Sequence, residues 1–433
     1  MNMQQSNRKA LNLLFFANSV SGVAQGISMI AIPWYFTGIL NNPSLFSISF
    51  VVINLVMIFW SLYAGTLIDK YNRKTLALGV SVFGACMLLS AAAIGFWQHS
   101  VPVPLVLVVF GATFLIYNVH YPNLYAFAQE ITPAAQYGKV TSQIEIVGQL
   151  TSMMAGAFAA MLLAGSETGS MNLLGFIIPF GWEFKAWELH HVFLLDGATY
   201  VLSYFIIYFI RYQPLAVRHE ETGNAWERLK TGLAFLKKHP VIFTFGNAAL
   251  AVFLTVIVSS YVMTPAYVVS HLKGDAGVYG AAEMYFAIGA VFAGIAIRRL
   301  FRKWTETDAI LLMTATTAVI YFLSMWNRSF FIFYLFNLVY GLCNAGIRIM
   351  RITFMFHYVP NQVIGRAGSV FSTINIILRM IFSGIFALAF FEGEHIIYTF
   401  FLFGCMLLVA IYFLVRDRKK LRHLTTARLA ADP

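Results

Sequence analysis

His120, Glu145, Asp196, Glu283, Arg348, Arg351 and Arg379 each sit inside a strongly apolar stretch of this sequence. A charge near the centre of a bilayer costs at least ~2.5–3.5 kcal/mol, so such a side chain faces protein or water and marks a functional path by default. Carboxylates and an imidazole can take up and release protons. Guanidinium groups hold carboxylates or phosphates. The two chemistries are unevenly spread: the three arginines lie in the C-terminal part, and Glu145 and His120 in the N-terminal part. An acid beside an arginine keeps both charged, and an anionic substrate could replace that acid. Protonating Glu145 would then free an arginine for the anion, a scheme for coupling protons to cargo. Each residue also has a plainer role open to it. Asp196 would serve structure, His120 would satisfy backbone groups freed by the adjacent Pro122, and Glu145 would form a static bridge.

The elements that must position these groups follow from composition. Of 433 residues, 59% are hydrophobic and 11% charged, with a mean hydropathy of +0.73. Soluble domains carry roughly 25% charged residues. Runs such as 11–40 and 44–68 exceed the ~20 residues that a bilayer helix needs. The fold class expected is an all-α membrane protein rather than a barrel. Twelve spans fit the pattern: 11–38, 44–67, 75–97, 102–127, 139–164, 188–211, 240–269, 276–299, 308–326, 329–356, 364–390 and 395–415. The first is too long for a signal-peptide core and is expected to stay as a helix. Apart from the three arginines within spans, Lys and Arg fall at the termini or in and beside the even-numbered loops; only Lys185, Lys273 and Arg328 lie in the odd-numbered loops. The positive-inside rule then puts both termini in the cytoplasm. The net charge of +11 is explained the same way and requires no nucleic-acid partner. Cys86, Cys343 and Cys405 all fall inside spans without CxxC spacing, and are expected to be small hydrophobes rather than disulfide or metal ligands.

Polar residues recur at helical spacing on several spans. Asn18, Ser21, Gln25 and Ser28 share one face of span one, roughly 80° wide. Ser142, Glu145, Gln149 and Ser152 repeat the spacing on span five. Asn337, Asn344, Arg348 and Arg351 fall within roughly 60° on span ten, and Ser372, Asn375, Arg379 and Ser383 within roughly 80° on span eleven. Any one such residue is more often a helix–helix hydrogen bond than a ligand contact. Four on one face suggest a wet cavity.

Two segments are repeated at nearly one offset. Gly65-Thr-Leu-Ile-Asp69-Lys70-Tyr-Asn-Arg73-Lys74 echoes Gly294-Ile-Ala-Ile-Arg298-Arg299-Leu-Phe-Arg302-Lys303. Pro133-Ala-Ala-Gln-Tyr-Gly138-Lys139 echoes Pro360-Asn-Gln-Val-Ile-Gly365-Arg366. A doubled unit in an apolar chain points to a transporter. The expected organisation is a bundle of six spans over 1–211, a linker over 212–239, a second bundle over 240–416 and a tail over 417–433. The linker carries Trp226, Leu229, Leu233 and Leu236 at helical spacing among basic residues, and reads as an amphipathic helix on the inner membrane surface. The stretch from Asn172 to Phe180 is too short to span and is expected to dip into the outer interface, with a lid folded over the external mouth as the alternative.

The segment Gly65-x-x-x-Asp69-Lys70-x-x-Arg73-Lys74 resembles the signature loop of the major facilitator superfamily, whose second glycine is replaced here by Asn72. Ser28-Met-Ile-Ala-Ile-Pro33-Trp34-Tyr35, Leu194-Leu195-Asp196-Gly-Ala-Thr-Tyr and Gly365-Arg366 further resemble the macrolide-efflux-like branch of drug:proton antiporters. Span five departs from that branch, with no Gly-Pro pair within Gly148–Gly156. The resemblance implies two pseudo-symmetric six-helix bundles rocking around a central site. It also implies a gate formed by Gly65, Asp69 and Arg73, with Asp69 near the start of span eleven, where the helix dipole favours an anion. Asn18, Gln25, His120, Gln149, Asn344, Arg348, Arg351, Asn375 and Arg379 are the candidate substrate contacts. Glu145, Glu283 and Asp196 are the candidate coupling groups. Tyr and Trp on the lining spans would suit a bulky amphiphile.

No Walker loop or nucleophile motif is present, so neither an enzyme nor a cofactor is expected. Glu183, Glu188, His190 and His191 match no strong metal pattern. The reading that follows is a proton-coupled exporter of bulky amphiphiles, drugs or siderophores, in a bacterial inner membrane, acting as a monomer. Two others stay open: a transporter of organic anions such as a carboxylate siderophore or a lysophospholipid, and a non-transporting receptor on the same fold.

Overall fold

The computed structural model describes residues 3–133, 136–166, 169–173, 176–179, 181–215 and 225–429. Among them, 12 helices are long and apolar enough to cross a membrane: Ser6–Ile39, Pro43–Ser61, Arg73–Gln98, Val103–Glu130, Lys139–Ala164, Leu189–Tyr208, Pro240–Leu272, Ala276–Ile297, Glu306–Ser324, Phe330–Tyr358, Val363–Phe386 and Gly393–Leu421. They are spans one to twelve below. Span two continues as helix to Lys70. Span seven contains two π-helical turns, Ser259–Met263 and Val268–Leu272, flanking Pro265. Proline has no N–H to give the carbonyl one turn earlier, and a widened turn is a common accommodation.

Asn72 opens span three. Its side chain accepts from the N–H groups of Lys74 (2.9 Å) and Thr75 (3.3 Å), with its backbone extended at φ −61°, ψ 133°. The departure from glycine is therefore an N-cap, a role that Asn fills well and that needs no left-handed backbone. The repeat of this segment is built differently. Span eight runs to Leu300, a turn follows, and Thr305 caps span nine through the Asp308 N–H. Arg302 and Lys303 thus lie in the turn, while Arg73 and Lys74 lie in a helix.

The chain packs as two compact units. Unit 1 comprises Met1–Leu40, Val56–Thr222 and Asp275–Met284; unit 2 comprises Asn41–Leu55, Gly223–Gly274 and Tyr285–Pro433. Compared with a simple division at the linker, the first part of span two belongs to unit 2 and the first part of span eight to unit 1. Small residues explain the latter. A Cβ on Gly156 would lie 2.6 Å from the Met284 nitrogen, and one on Gly280 would lie 2.5 Å from the Ala160 nitrogen. Spans five and eight therefore approach backbone to backbone. Within unit 2, Phe50 of span two meets Tyr261 of span seven, ring centroids 5.9 Å apart.

In unit 1, Leu14 and Ala17 of span one form an apolar cluster with Leu124 and Phe127 of span four, Ile144 of span five and Ile207 of span six. In unit 2, spans eight and ten cross at Gly289 and Gly341; a Cβ on either would lie 1.8 Å from a carbonyl oxygen of the other helix. Near the start of span twelve, Glu394 meets His271 (3.1 Å), Lys273 (3.2 Å) and Arg328 (3.2 Å). Two of the three cations that break the positive-inside pattern are thus paired with one acid.

The linker helix Ala225–Lys238 is amphipathic as expected, but it also docks on protein. Leu236 is buried, and Gly232 lies against the backbone of Arg366 at the start of span eleven. Trp226 and Leu233 remain exposed. In the segment expected to dip into the interface, Ser170–Leu173 pairs antiparallel with Phe176–Pro179. Its strands pair their own backbone groups, which a lone apolar stretch at an interface would leave unpaired.

Candidate functional site

The stripe on span one faces the interior of its own unit. Asn18 Oδ1 lies 2.8 Å from His120 Nε2 on span four. Gln25 Nε2 donates to the Tyr200 hydroxyl on span six at 3.1 Å, and Ser28 Oγ donates to Asp196 Oδ2 at 2.6 Å. Ser203 of span six donates to the Ala17 carbonyl at 3.0 Å. Ser21, His120, Asn123 and Tyr200 are among the residues around a cavity of about 20 Å³. That is room for one water. Asn18 and His120 join spans one and four, and Gln25 and Tyr200 join spans one and six, so this face helps to hold its own unit together. Asp196 is 0% exposed, and its second carboxyl oxygen has no hydrogen-bond partner among the described residues. Tyr200 was missed at the sequence level. It lies four residues after Asp196, hence on the same helix face, and that spacing was the available signal.

The lower end of this network reaches the signature segment. Asn123 Nδ2 donates to the Arg73 carbonyl at 2.9 Å. The Lys74 ammonium donates to the carbonyls of Tyr208 (2.9 Å) and Ile210 (2.8 Å) at the end of span six. A cation is favoured there by the unpaired carbonyls and the helix dipole. Of the expected gate, Arg73 is a half-buried residue at the start of span three, and Gly65 lies in the helix that continues span two. The side chain of Asp69 lies outside those described.

On span five, Glu145 accepts a 2.7 Å hydrogen bond from the Tyr125 hydroxyl. Tyr125 belongs to span four of the same unit, a partner that no local spacing announced. Glu283 is half-buried on span eight, and Gln149 half-buried on span five. Ser142 and Ser152 are exposed. The coupling candidates therefore occupy different settings: Asp196 fully enclosed, Glu145 and Glu283 half-buried.

Unit 2 holds the three intramembrane arginines, and three polar side chains on its span eleven are enclosed without a hydrogen-bond partner. Arg351 makes no hydrogen bond or ion pair with any described residue; the charge acting on it is that of Arg348, one turn away on span ten. Arg379 is half-buried on span eleven, and its Nε is enclosed without a hydrogen-bond partner. Tyr261 of span seven lies within electrostatic reach of it. One turn earlier, Asn375 is 4% exposed; its Nδ2 makes a long 3.5 Å contact with the Leu250 carbonyl, and its Oδ1 is unpartnered. Ser383 Oγ, one turn later, is enclosed and unpartnered as well. On span ten, Asn337 bonds back to its own helix at Phe333, and Asn344 is half-buried. Cationic donors without an acidic partner suit an anion that arrives from outside the unit.

Among the described residues, no group of three or more His, Cys, Asp and Glu is placed to hold a metal ion. The His190 and His191 rings lie 4.1 Å apart between centroids, tilted by 37°, and pack edge-on against Phe96. They anchor the start of span six.

The sequence profile of the Major Facilitator Superfamily matches residues 14–383. Macrolide efflux protein A of Streptococcus pyogenes is 20% identical over 304 residues, covering 70% of this chain and 69% of that protein. Among solved structures, the nucleoside transporter NupG aligns with a TM-score of 0.66 at 13% identity, covering 97% of this chain and 100% of that one. A bacterial homologue of the iron transporter ferroportin aligns at 0.67 and 12%, covering 96% and 99%. A D-xylose-proton symporter aligns at 0.65 and 14%, covering 93% and 96%. At these identities the structural likeness speaks to the fold; the transported molecules named are too varied to speak to the cargo.

Proposed function

Because this chain belongs to the Major Facilitator Superfamily, we propose that it is a secondary transporter working by alternating access, exporting bulky amphiphiles in exchange for protons. The cargo that fits best bears a carboxylate or phosphate. The observation that carries this reading is Arg379: a guanidinium on a membrane span whose Nε is enclosed and unpartnered. An uncompensated buried charge is costly, and an anionic cargo would supply the missing partner. Arg351, beside Arg348, offers a second guanidinium on span ten, with Asn344 on the same helix face. Glu145 and Glu283 are the proposed coupling groups. Asn18, Gln25, His120 and Asp196 act in this reading by holding spans one, four and six in place, and Gln149 joins the path from span five. Gly65, Asp69 and Arg73 form the proposed cytoplasmic gate. The protein would act as a monomer in a bacterial inner membrane with both termini in the cytoplasm.

A cargo without an acidic group is a second reading, supported by the match to macrolide efflux protein A. Proteoliposomes with an imposed pH gradient separate the two when cationic drugs, anionic siderophores and lysolipids are screened together. The expected result is pH-driven flux of an anion that requires Arg379 and slows in Asp69→Asn. Flux of a cation indifferent to Arg379 supports the second reading. Binding with no flux of any compound returns the receptor alternative.

A further inference from the structure

A cavity of about 340 Å³ opens within unit 2 between spans seven, eleven and twelve. Its wall is almost wholly apolar, with Leu254, Leu378, Val409 and Phe413 representative, and Asn247 and Asn375 its amides. Span seven packs against both span eleven and span twelve, and the cavity fills the gap between those two. Leu378 and Val409 are 37% and 55% exposed, so the rim reaches the surface of membrane-spanning helices. The volume is within the range of small-molecule sites. It is also more than twice the ~150 Å³ apolar cavity that accepts benzene.

Two observations say what this space takes. Asn375 is 4% exposed, belongs to the wall, and leaves Oδ1 without a hydrogen-bond donor. Arg379 lies one turn further along the same face of span eleven, with an enclosed, unpartnered Nε. On span eleven the lone acceptor thus lies in the cavity wall between Ile374 and Leu378, and the lone cation follows Leu378 directly. We propose that the cavity is the tail site of a single-chain amphiphile with three parts: an acyl chain, a neck bearing a hydroxyl or amide N–H, and an anionic head. The chain fills the space between spans seven, eleven and twelve, the neck donates to Asn375 Oδ1, and the head pairs with Arg379. Entry past Leu378 and Val409 lets the chain arrive sideways from the bilayer. Only the head-group contact rests on the anion reading above; the tail and neck contacts stand apart from it.

Photolabelling of the full-length protein in nanodiscs tests this. The probes are lauroylglycine and a lysophosphatidic acid of equal chain length, each with a diazirine at the chain end, and a headless photoreactive dodecane as control. Adducts of the amphiphiles are expected on peptides from Phe243 to Leu254 and from Met406 to Phe413. Ala251→Phe, which fills the cavity, is expected to lower them about tenfold, an effect of steric exclusion. Asn375→Leu is expected to lower them about threefold to tenfold, the worth of one hydrogen bond. If Ala251→Phe does not yield folded protein, Ala251→Leu is the smaller step. Adducts indifferent to the filled cavity, or headless dodecane labelling the same peptides equally, overturn the proposal. Adducts lost in Ala251→Phe but intact in Arg379→Gln keep the tail site and remove the anion reading. Anion flux that needs Arg379 while the cavity stays unlabelled does the reverse. The stronger of the two amphiphile signals identifies the source, acylated amino acid or lysophospholipid.

Discussion

Spans one and eleven carry polar stripes of nearly the same spacing, and they do opposite things. On span one, Asn18, Gln25 and Ser28 each meet a partner on span four or six: His120, Tyr200 and Asp196. On span eleven, Asn375 Oδ1, Arg379 Nε and Ser383 Oγ are all enclosed without one. A satisfied stripe stiffens a bundle; an unsatisfied stripe waits for a ligand or carries a standing cost. The two stripes are alike in spacing and differ in whether their polar atoms have partners.

The largest expected effect breaks this comparison directly. Arg379→Ala should weaken binding of an anionic amphiphile about 10–100-fold, the value of a charge-assisted hydrogen bond, with no loss of thermal stability, because nothing described depends on that guanidinium. Asn18→Ala should do the reverse, lowering the melting temperature in detergent and leaving the equilibrium affinity unchanged. Calorimetric titration beside a thermal-unfolding assay reads both. Destabilisation by Arg379→Ala without loss of affinity would invert the assignment of the two stripes.

Next in size is the pH profile of transport. Glu145 is half-buried and hydrogen-bonded by Tyr125, whereas Asp196 is fully enclosed with Ser28. Glu145→Gln should keep cargo binding and flatten the pH dependence of flux. Asp196→Asn should leave that dependence in place, since its amide can still accept from Ser28. A flat profile in Asp196→Asn with a normal one in Glu145→Gln moves the coupling role to span six.

A smaller effect concerns one joint made twice. In unit 1, Lys74 at the start of span three closes on the carbonyls of Tyr208 and Ile210 at the end of span six. In unit 2 the polarity is reversed: Arg418, at the end of span twelve, donates to Asp308 in the first turn of span nine at 2.7 Å. Carbonyls carry no net charge when Lys74 is removed, whereas Asp308 is 9% exposed in its side chain and keeps its charge. Arg418→Ala should therefore lower the melting temperature more than Lys74→Ala, the two separated by about 1–2 kcal/mol. Equal losses would show that both joints rest on packing.

The apolar runs made the spans legible, because length and hydropathy are properties of the chain itself; the run 75–97 lies within Arg73–Gln98. What the stripes face was not legible. A period of 3.6 fixes the direction of a side chain relative to its own helix axis, and nothing in it fixes how the helix is rotated toward its neighbours. That Gln25 bonds Tyr200 on span six could therefore not be read from its spacing. The grouping of Asp275–Met284 with unit 1 was hidden for a related reason. Gly156 and Gly280 mark a close approach only once their partners are known.

The smallest effect returns to the repeated segment. In the first copy Asn72 caps span three with two accepted N–H bonds. In the second, the capping position has moved to Thr305, beyond the repeat. Replacing Asn72 with alanine removes the acceptor and should cost about 1 kcal/mol, whereas glycine should cost only a few tenths, because water reaches the freed N–H groups more easily. Thr305→Ala should cost about as much as Asn72→Ala. If Asn72→Gly instead changes the transport rate at unchanged stability, the residue is a hinge rather than a cap. The two copies would then differ in motion and not only in where each helix begins.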